Sequence, residues 1–397
     1  MTKHPSFRII VALLPLLVCA ASLGVALGSS EPRLVERVGS LEGCGGVAVA
    51  YSGDGKLIIT AARRYARAWD AATARAVTRP LDHGGAVAGV AISADGRTAV
   101  TFGGTWDVSG PRGVYRGSGA KVWDGKTGRL LLRINEHEPG HSVWDADVSP
   151  NGTIIATCAH GDHSVRLWNA ATGKQIARLD MPDEVGFVVF SPGGTRIVAV
   201  QDRVAGARLW AVRTGKPIGD LVGANGDRSL GVQRAACFSR DGRILALCNS
   251  DRFTVVDALI GKKIIDSEAN QLSIEGDTFC SVSLSDDGKV LVTTATMSGS
   301  RPWRTLTAEP LGKNVRDRGV PAVVSPDGRY MLCGGRDDVA GIWDVSTGAR
   351  IGWFADHSDF DQCAFSPDGP SCAATTLGSL SATRLWRATL GEKPGRS

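Results

Sequence analysis

A short turn of the form Ser-x-(Asp/Asn/Gly)-Gly occurs eight times along this chain of 397 residues, and no other feature constrains the fold as much. The copies are Ser52–Gly55, Ser93–Gly96, Ser149–Gly152, Ser191–Gly194, Ser239–Gly242, Ser285–Gly288, Ser325–Gly328 and Ser366–Gly369. Their glycines lie 41, 56, 42, 48, 46, 40 and 41 residues apart. The residue types suit a hairpin: a Pro or small residue opens the turn, Asp bonds the local backbone, and Gly accepts positive φ. Apolar stretches rich in Val, Ile and Ala flank each turn, such as Val87–Ile92 and Val185–Phe190 before it and Leu57–Thr60 and Ile154–Thr157 after it. These read as short strands.

Between 14 and 17 residues beyond most of the glycines stands a tryptophan: Trp69, Trp168, Trp210, Trp303, Trp343 and Trp386. Trp123 comes later because of an insertion, and Val256 takes the place in the fifth unit. A second turn, Asp/Asn-x-x-Thr-Gly, follows at Thr127-Gly128, Thr172-Gly173 and Thr347-Gly348, and with Ala211 at its first position at Thr214-Gly215. A further stretch such as Leu130–Ile134 completes four strands per unit. A four-stranded unit cannot bury both of its faces alone, so units in such a series must stack.

With the Trp-Asp dipeptide at Trp69-Asp70, Trp123-Asp124 and Trp343-Asp344, the chain resembles the WD40 repeat family over nearly everything after residue 32, as an exported, bacterial-type member. The resemblance implies an all-β fold: a single β-propeller of four-stranded blades, eight in number with seven as the alternative. Arg33–Val38 has strand character and precedes the first unit, while the tail 391–397 offers no strand after Trp386. The N-terminal strand is therefore expected to complete the last blade and close the ring, which removes an exposed sheet edge. The sixth unit is the weakest, since Pro302 demotes its third strand to an edge or a bulge. In well-matched WD40 repeats a His, a Ser or Thr, an Asp and the Trp form a hydrogen-bonded network inside the blade. His83, Asp162 and Asp337 stand at such positions, but no unit displays the whole set. These residues, with Trp69, Trp123, Trp168, Trp210, Trp343 and Trp386, are expected to brace blades.

The first residues read as a leader. Lys3, His4 and Arg8 precede an uncharged run from Ile9 to Leu27, and Ala26 and Gly28 are small residues placed for cleavage after Gly28. Residues 1–28 are read as a signal peptide or, alternatively, a membrane anchor, 29–390 as the propeller and 391–397 as a flexible tail. The expected location is exported, periplasmic or extracellular, with any membrane contact through the N-terminal segment. The formal charge of +5 falls to +3 (5 − 2) without Lys3 and Arg8 and is evenly spread, which argues against nucleic-acid binding. No Cys-x-x-Cys pair is present. Cys237 with Cys248, and Cys363 with Cys372, flank hairpin turns and could be bridged, but these positions hold Ala, Val or Leu in sister units, which favours small buried hydrophobes.

No nucleophile elbow, P-loop or dinucleotide-binding glycine motif occurs. His137, His141, His160, His163 and His357 fall near loops, and His160-Gly-Asp-His163 has metal-like spacing without further ligands to name. The insertion Gly103–Gly119 in the second unit carries Trp106, Arg112, Tyr115 and Arg116, side chains of the kinds that dominate protein interfaces. Propeller topology would place it on the same face as the long connections Gly219–Gln233 and Asp266–Thr278. The expectation is a non-enzymatic scaffold, without cofactor or metal, that binds a protein through loops on that face. The alternative is an eight-bladed quinoprotein-like enzyme, which the Asp-x-x-Thr-Gly-Lys turns also resemble. Against it, the Trp expected after those turns occurs once, at Trp353, and no calcium-carboxylate cluster stands out.

Overall fold

The computed structural model describes residues 35–388 except for 42–47, 108–113, 117–118, 135–136, 138–142, 160, 202–205, 223–234, 250–251, 269–278, 296–297, 316–321, 334–340, 354–359, 368–370 and 377–382. The described residues form eight antiparallel sheets of four strands and one two-stranded hairpin. Seven sheets are sequential: each runs first, second, third and outer strand in chain order. The eighth is completed from the other end of the chain. Val35–Leu41 pairs antiparallel with Thr383–Ala388, setting Arg37 against Trp386. Each blade packs on the next, and the Gly55 turn of blade one lies against Pro367 of blade eight, so the stack closes on itself.

The seven turns from Ser52 to Gly328 share one hydrogen-bond plan, and residues 368–370 of the eighth lie outside the described residues. In blade one Ser52 Oγ donates to Asp54 Oδ1 at 2.6 Å, Leu57 N donates back to Ser52 Oγ at 2.9 Å, and Gly55 N donates to Ser52 O at 2.9 Å. Gly55 holds φ at +68°, a conformation that L side chains rarely adopt. In blade four Gly193 replaces the Asp, yet Arg196 N still donates to Ser191 Oγ at 3.1 Å. The serine is therefore the constant element. Turns also bond to their neighbours: Ala94 N donates to Pro150 O, Arg240 N to Asp286 O and Asp286 N to Pro326 O.

Burial follows strand position. The second strand Leu57–Ala62 is buried at every residue, because adjacent blades cover both of its faces. Outer strands such as Gln175–Asp180 have exposed residues through most of their length. The core is thus a ring of clusters between blades. Val165, Leu167 and Leu179 of blade three pack with Val188, Ile197 and Trp210 of blade four. Phe253 of blade five meets Trp303 of blade six at 5.5 Å between ring centres.

Blade six differs from the expectation at Pro302. Gly299–Arg304 is a full third strand, paired with Val290–Ala295 through all six residues. Pro302 O accepts from Leu311 N at 2.8 Å, so its nitrogen also faces outward and its missing N–H costs the ladder to the second strand nothing. The effect falls on the outer strand, which is only Glu309–Pro310. Cys158, Cys237, Cys248 and Cys333 are buried, unbridged thiols. Cys237 stands opposite Ala246 and Cys248 opposite Ala235, out of phase for a bridge. Cys363 is likewise opposite Ala374, and Cys372 opposite Phe365.

Candidate functional site

The polar residues that could carry chemistry are gathered inside blades. In blade three His137 Nδ1 lies 2.8 Å from Asp162 Oδ2, and its Nε2 lies 2.6 Å from Thr157 Oγ1. Trp168 Nε1 donates to the same Thr157 Oγ1 at 2.8 Å. Ser164 Oγ donates to Asp162 Oδ1 at 2.7 Å, and Arg166 and Arg178 both reach that carboxylate. Blade three therefore holds a full Asp-His-Thr-Trp network, contrary to the reading that no unit has one. The sequence hid it because His137 precedes its turn serine by twelve residues, where His83 precedes Ser93 by ten.

Burial lowers the His137 imidazole to about 4, opposed by the Asp162 carboxylate. Two arginines and a serine already answer Asp162, so the histidine serves as a neutral linker. His163 points to the exposed face of the strand while Asp162 points inward, so the two do not converge on a metal. Among the described residues no group of three or more His, Cys, Asp or Glu is placed to hold one.

Blade two keeps part of this network. His83 Nδ1 lies 2.8 Å from Thr101 Oγ1, which accepts from Trp123 Nε1 at 3.0 Å. Burial lowers this imidazole, too, to about 4. Trp69 donates to Thr60 and Trp303 to Thr293, each at 2.9 Å. Trp210 and Trp343 have no hydrogen-bond partner for Nε1 among the described residues. The position that holds Thr157 in blade three is Ala199 in blade four and Cys333 in blade seven. Val256 is fully buried against its neighbours in blade five. Trp386 lies opposite Cys372, and Asp337 lies outside the described residues.

The insertion in blade two forms a hairpin of its own. Thr105–Asp107 pairs with Val114–Arg116, which sets Trp106 opposite Tyr115 and Thr105 opposite Arg116. Arg112 lies outside the described residues. Gly103 makes the departure from the blade possible. Its φ is +145°, and a Cβ there would meet the carbonyl oxygen of Ala86 and the nitrogen of Ala88. Gly103 N donates to Gly119 O at 3.3 Å across the stem. Because the hairpin links the second and third strands, it stands at the end of the molecule opposite the eight Ser-Gly turns. The long connections 223–233 and 269–278 lie outside the described residues.

Three residues of blade one stand at the hairpin's end of the molecule and carry no motif in the sequence. Arg63 and Arg64 form the connection to the third strand, and Tyr65 opens that strand. All three are exposed. Arg64 makes two hydrogen bonds to Asp82, at 2.6 and 3.0 Å, and its guanidinium lies 5.4 Å from the centre of the Tyr65 ring. Arg64 holds the Asp82 carboxyl below the usual carboxylate range. Lys121 Nζ of blade two donates to Asp82 O at 3.2 Å and ties the two blades together beneath this patch.

The family profile described as "WD domain, G-beta repeat" matches residues 128–169 and 316–344. Over 79 residues the chain is 40% identical to eukaryotic translation initiation factor 3 subunit I of Aspergillus oryzae, covering 20% of this chain and 23% of that protein. The same subunit of Aspergillus terreus is 44% identical over 79 residues, with the same coverage. That of Scheffersomyces stipitis is 33% identical over 87 residues, 22% of this chain and 24% of that one. The chain thus matches about a quarter of the length of these relatives. In fold it is similar to the C-terminal WD40 domain of Sif2, with a TM-score of 0.66 at 14% identity, covering 89% of this chain and 98% of that one. It is also similar to the computationally designed Ika8 protein, with a TM-score of 0.67 at 17% identity, covering 88% and 99%.

These relatives correct the expected location. They are subunits of a eukaryotic translation factor, and translation takes place inside the cell, so the exported, periplasmic or extracellular location does not stand. Residues 1–28, on which that expectation rested, lie outside the described residues, as does the tail 391–397. Among the described residues no helix is long and apolar enough to cross a membrane.

Proposed function

We propose that this WD40-repeat propeller is a non-catalytic scaffold that binds a protein partner through the end carrying the Gly103–Gly119 hairpin. The observation that carries this reading is the contrast between the two kinds of polar residue. His83, His137 and Asp162 are buried and bonded to other residues of their own blades, which leaves none of them facing a substrate. Trp106, Tyr115 and Arg116 sit instead on a hairpin that belongs to no blade, at the same end of the molecule as exposed Arg63, Arg64 and Tyr65. Aromatic residues and arginine dominate binding energy at interfaces, and this cluster suits a partner surface that is acidic with apolar patches. The likeness to subunits of a multi-subunit initiation factor favours a place within an assembly.

The test is affinity capture with the full chain, comparing wild type with a variant lacking residues 104–118. The Gly103–Gly119 hydrogen bond places the two cut ends together, so the deletion shortens a connection without breaking a blade. The reading expects partners recovered by wild type to be lost from the variant while its circular dichroism is unchanged. Equal recovery by both would move the interface elsewhere.

A further inference from the structure

The eight Ser-Gly turns surround a cavity on the propeller axis. Its volume is about 310 Å³, at the lower end of the roughly 300–1,000 Å³ common for small-molecule sites. All eight blades contribute to the wall. Most of it is apolar, with Ile92, Val148, Phe190, Phe238 and Leu284 among the contributors. It lies at the end of the first strands, opposite the hairpin, so it is distinct from the interaction face described above.

Three charged side chains line it: Asp147, Arg240 and Asp286. Arg240 and Asp286 stand in the turns of blades five and six. Arg240 Nη1 lies 2.7 Å from Asp286 Oδ2 and 3.0 Å from Pro367 O of blade eight, so the guanidinium reaches over the mouth and its charge is answered there. Asp147 lies deeper, on the first strand of blade three. Its two oxygens accept from Val148 N at 2.7 Å and Phe190 N at 2.8 Å, and among the described residues no cation pairs with it. Burial pushes this carboxyl up to about 7, with nearby Asp145 acting in the same direction and the two backbone N–H groups against it. Each oxygen keeps a lone pair.

The geometry points to the axial cavity as a binding site for a small primary amine, its ammonium on Asp147 and its short alkyl chain against the apolar wall. An apolar chamber with one unanswered carboxylate favours a cation with a hydrocarbon tail over an anion or a neutral polar molecule. Arg240 over the mouth favours a small ligand over a polypeptide segment.

Calorimetric titration of the full chain at pH 8 with n-butylammonium, n-butanol and butyrate tests this. The site predicts saturable binding of n-butylammonium, at least tenfold weaker binding of n-butanol, and none of butyrate. Asp147→Asn is expected to weaken n-butylammonium at least tenfold. Ala94→Trp fills the mouth without touching Asp147 and is expected to do the same, which guards against a folding defect in the first variant. Equal binding of the three ligands, no saturation at concentrations up to roughly tens of millimolar, or unchanged affinity in both variants would overturn the assignment.

Discussion

Blades three and four are neighbours with the same strands and turns, yet they are braced differently. In blade three Thr157 links Trp168 to His137, which passes the connection to Asp162 and its two arginines. In blade four Ala199 stands at the threonine position, and Trp210 is held by packing and by Arg208, whose guanidinium lies 5.8 Å from its ring centre. One blade therefore carries its tryptophan on a hydrogen-bonded network and the next on packing and the face of an arginine. Both are folded, so the network adds local rigidity and stability to a blade that hydrophobic stacking already specifies.

The largest effect should come from removing the centre of the network. Asp162→Ala removes the buried carboxylate that His137, Ser164, Arg166 and Arg178 share and is expected to cost about 3–5 kcal/mol. A urea melt followed by tryptophan fluorescence reads this, and a loss below about 1 kcal/mol would mean that blade three needs its network no more than blade four. Thr157→Val removes one oxygen that serves both Trp168 and His137. A loss of about 1–3 kcal/mol is expected in the same assay.

Acid should reveal the network next. His83 and His137 are lowered from 6.5 to about 4 in the folded protein. Between those values the unfolded chain binds more protons, so their contribution is full above about 6.5 and is lost as pH falls towards about 4. Asp147 acts oppositely, because its carboxyl is raised from 3.8 to about 7 and protonation favours the folded state. His137→Gln should therefore flatten the acid limb of a stability–pH curve relative to wild type. An unchanged slope would mean that His137 is already charged beside Asp162. The smallest effect runs the other way. Ala199→Ser offers Trp210 the acceptor that blade three provides, with an expected gain of about 0.5–1 kcal/mol.

Much of the ring was legible because its signals are local. The Ser-Gly turns need particular residues at fixed offsets, and the tryptophans recur at a fixed distance from them. The blade-three network was not legible, because it joins His137 in one connection to Asp162 at the start of the third strand, and the additional residues before the first strand shift the histidine from the spacing of His83. Pro302 misled for a related reason. Whether a proline breaks a ladder depends on which neighbour its nitrogen faces, and composition does not carry that. The insertion read as a binding loop without strands of its own, although Thr105–Asp107 and Val114–Arg116 have strand-like residues on either side of Ser109-Gly110-Pro111 in the sequence. Arg63, Arg64 and Tyr65 carry no motif and become visible only when topology sets them at the hairpin's end. The axial cavity needs one or a few residues from the first strand or turn of each of eight blades, so no stretch of sequence announces it.

The central claim is that buried polar residues brace the blades while the hairpin end makes the contacts. Partner capture at low temperature, run side by side on Thr157→Val and on the protein lacking 104–118, tests it most directly. The account predicts that Thr157→Val, though less stable, recovers partners as wild type does, and that the deleted protein, though as stable as wild type, does not. Retention by the deleted protein with loss from Thr157→Val would contradict it.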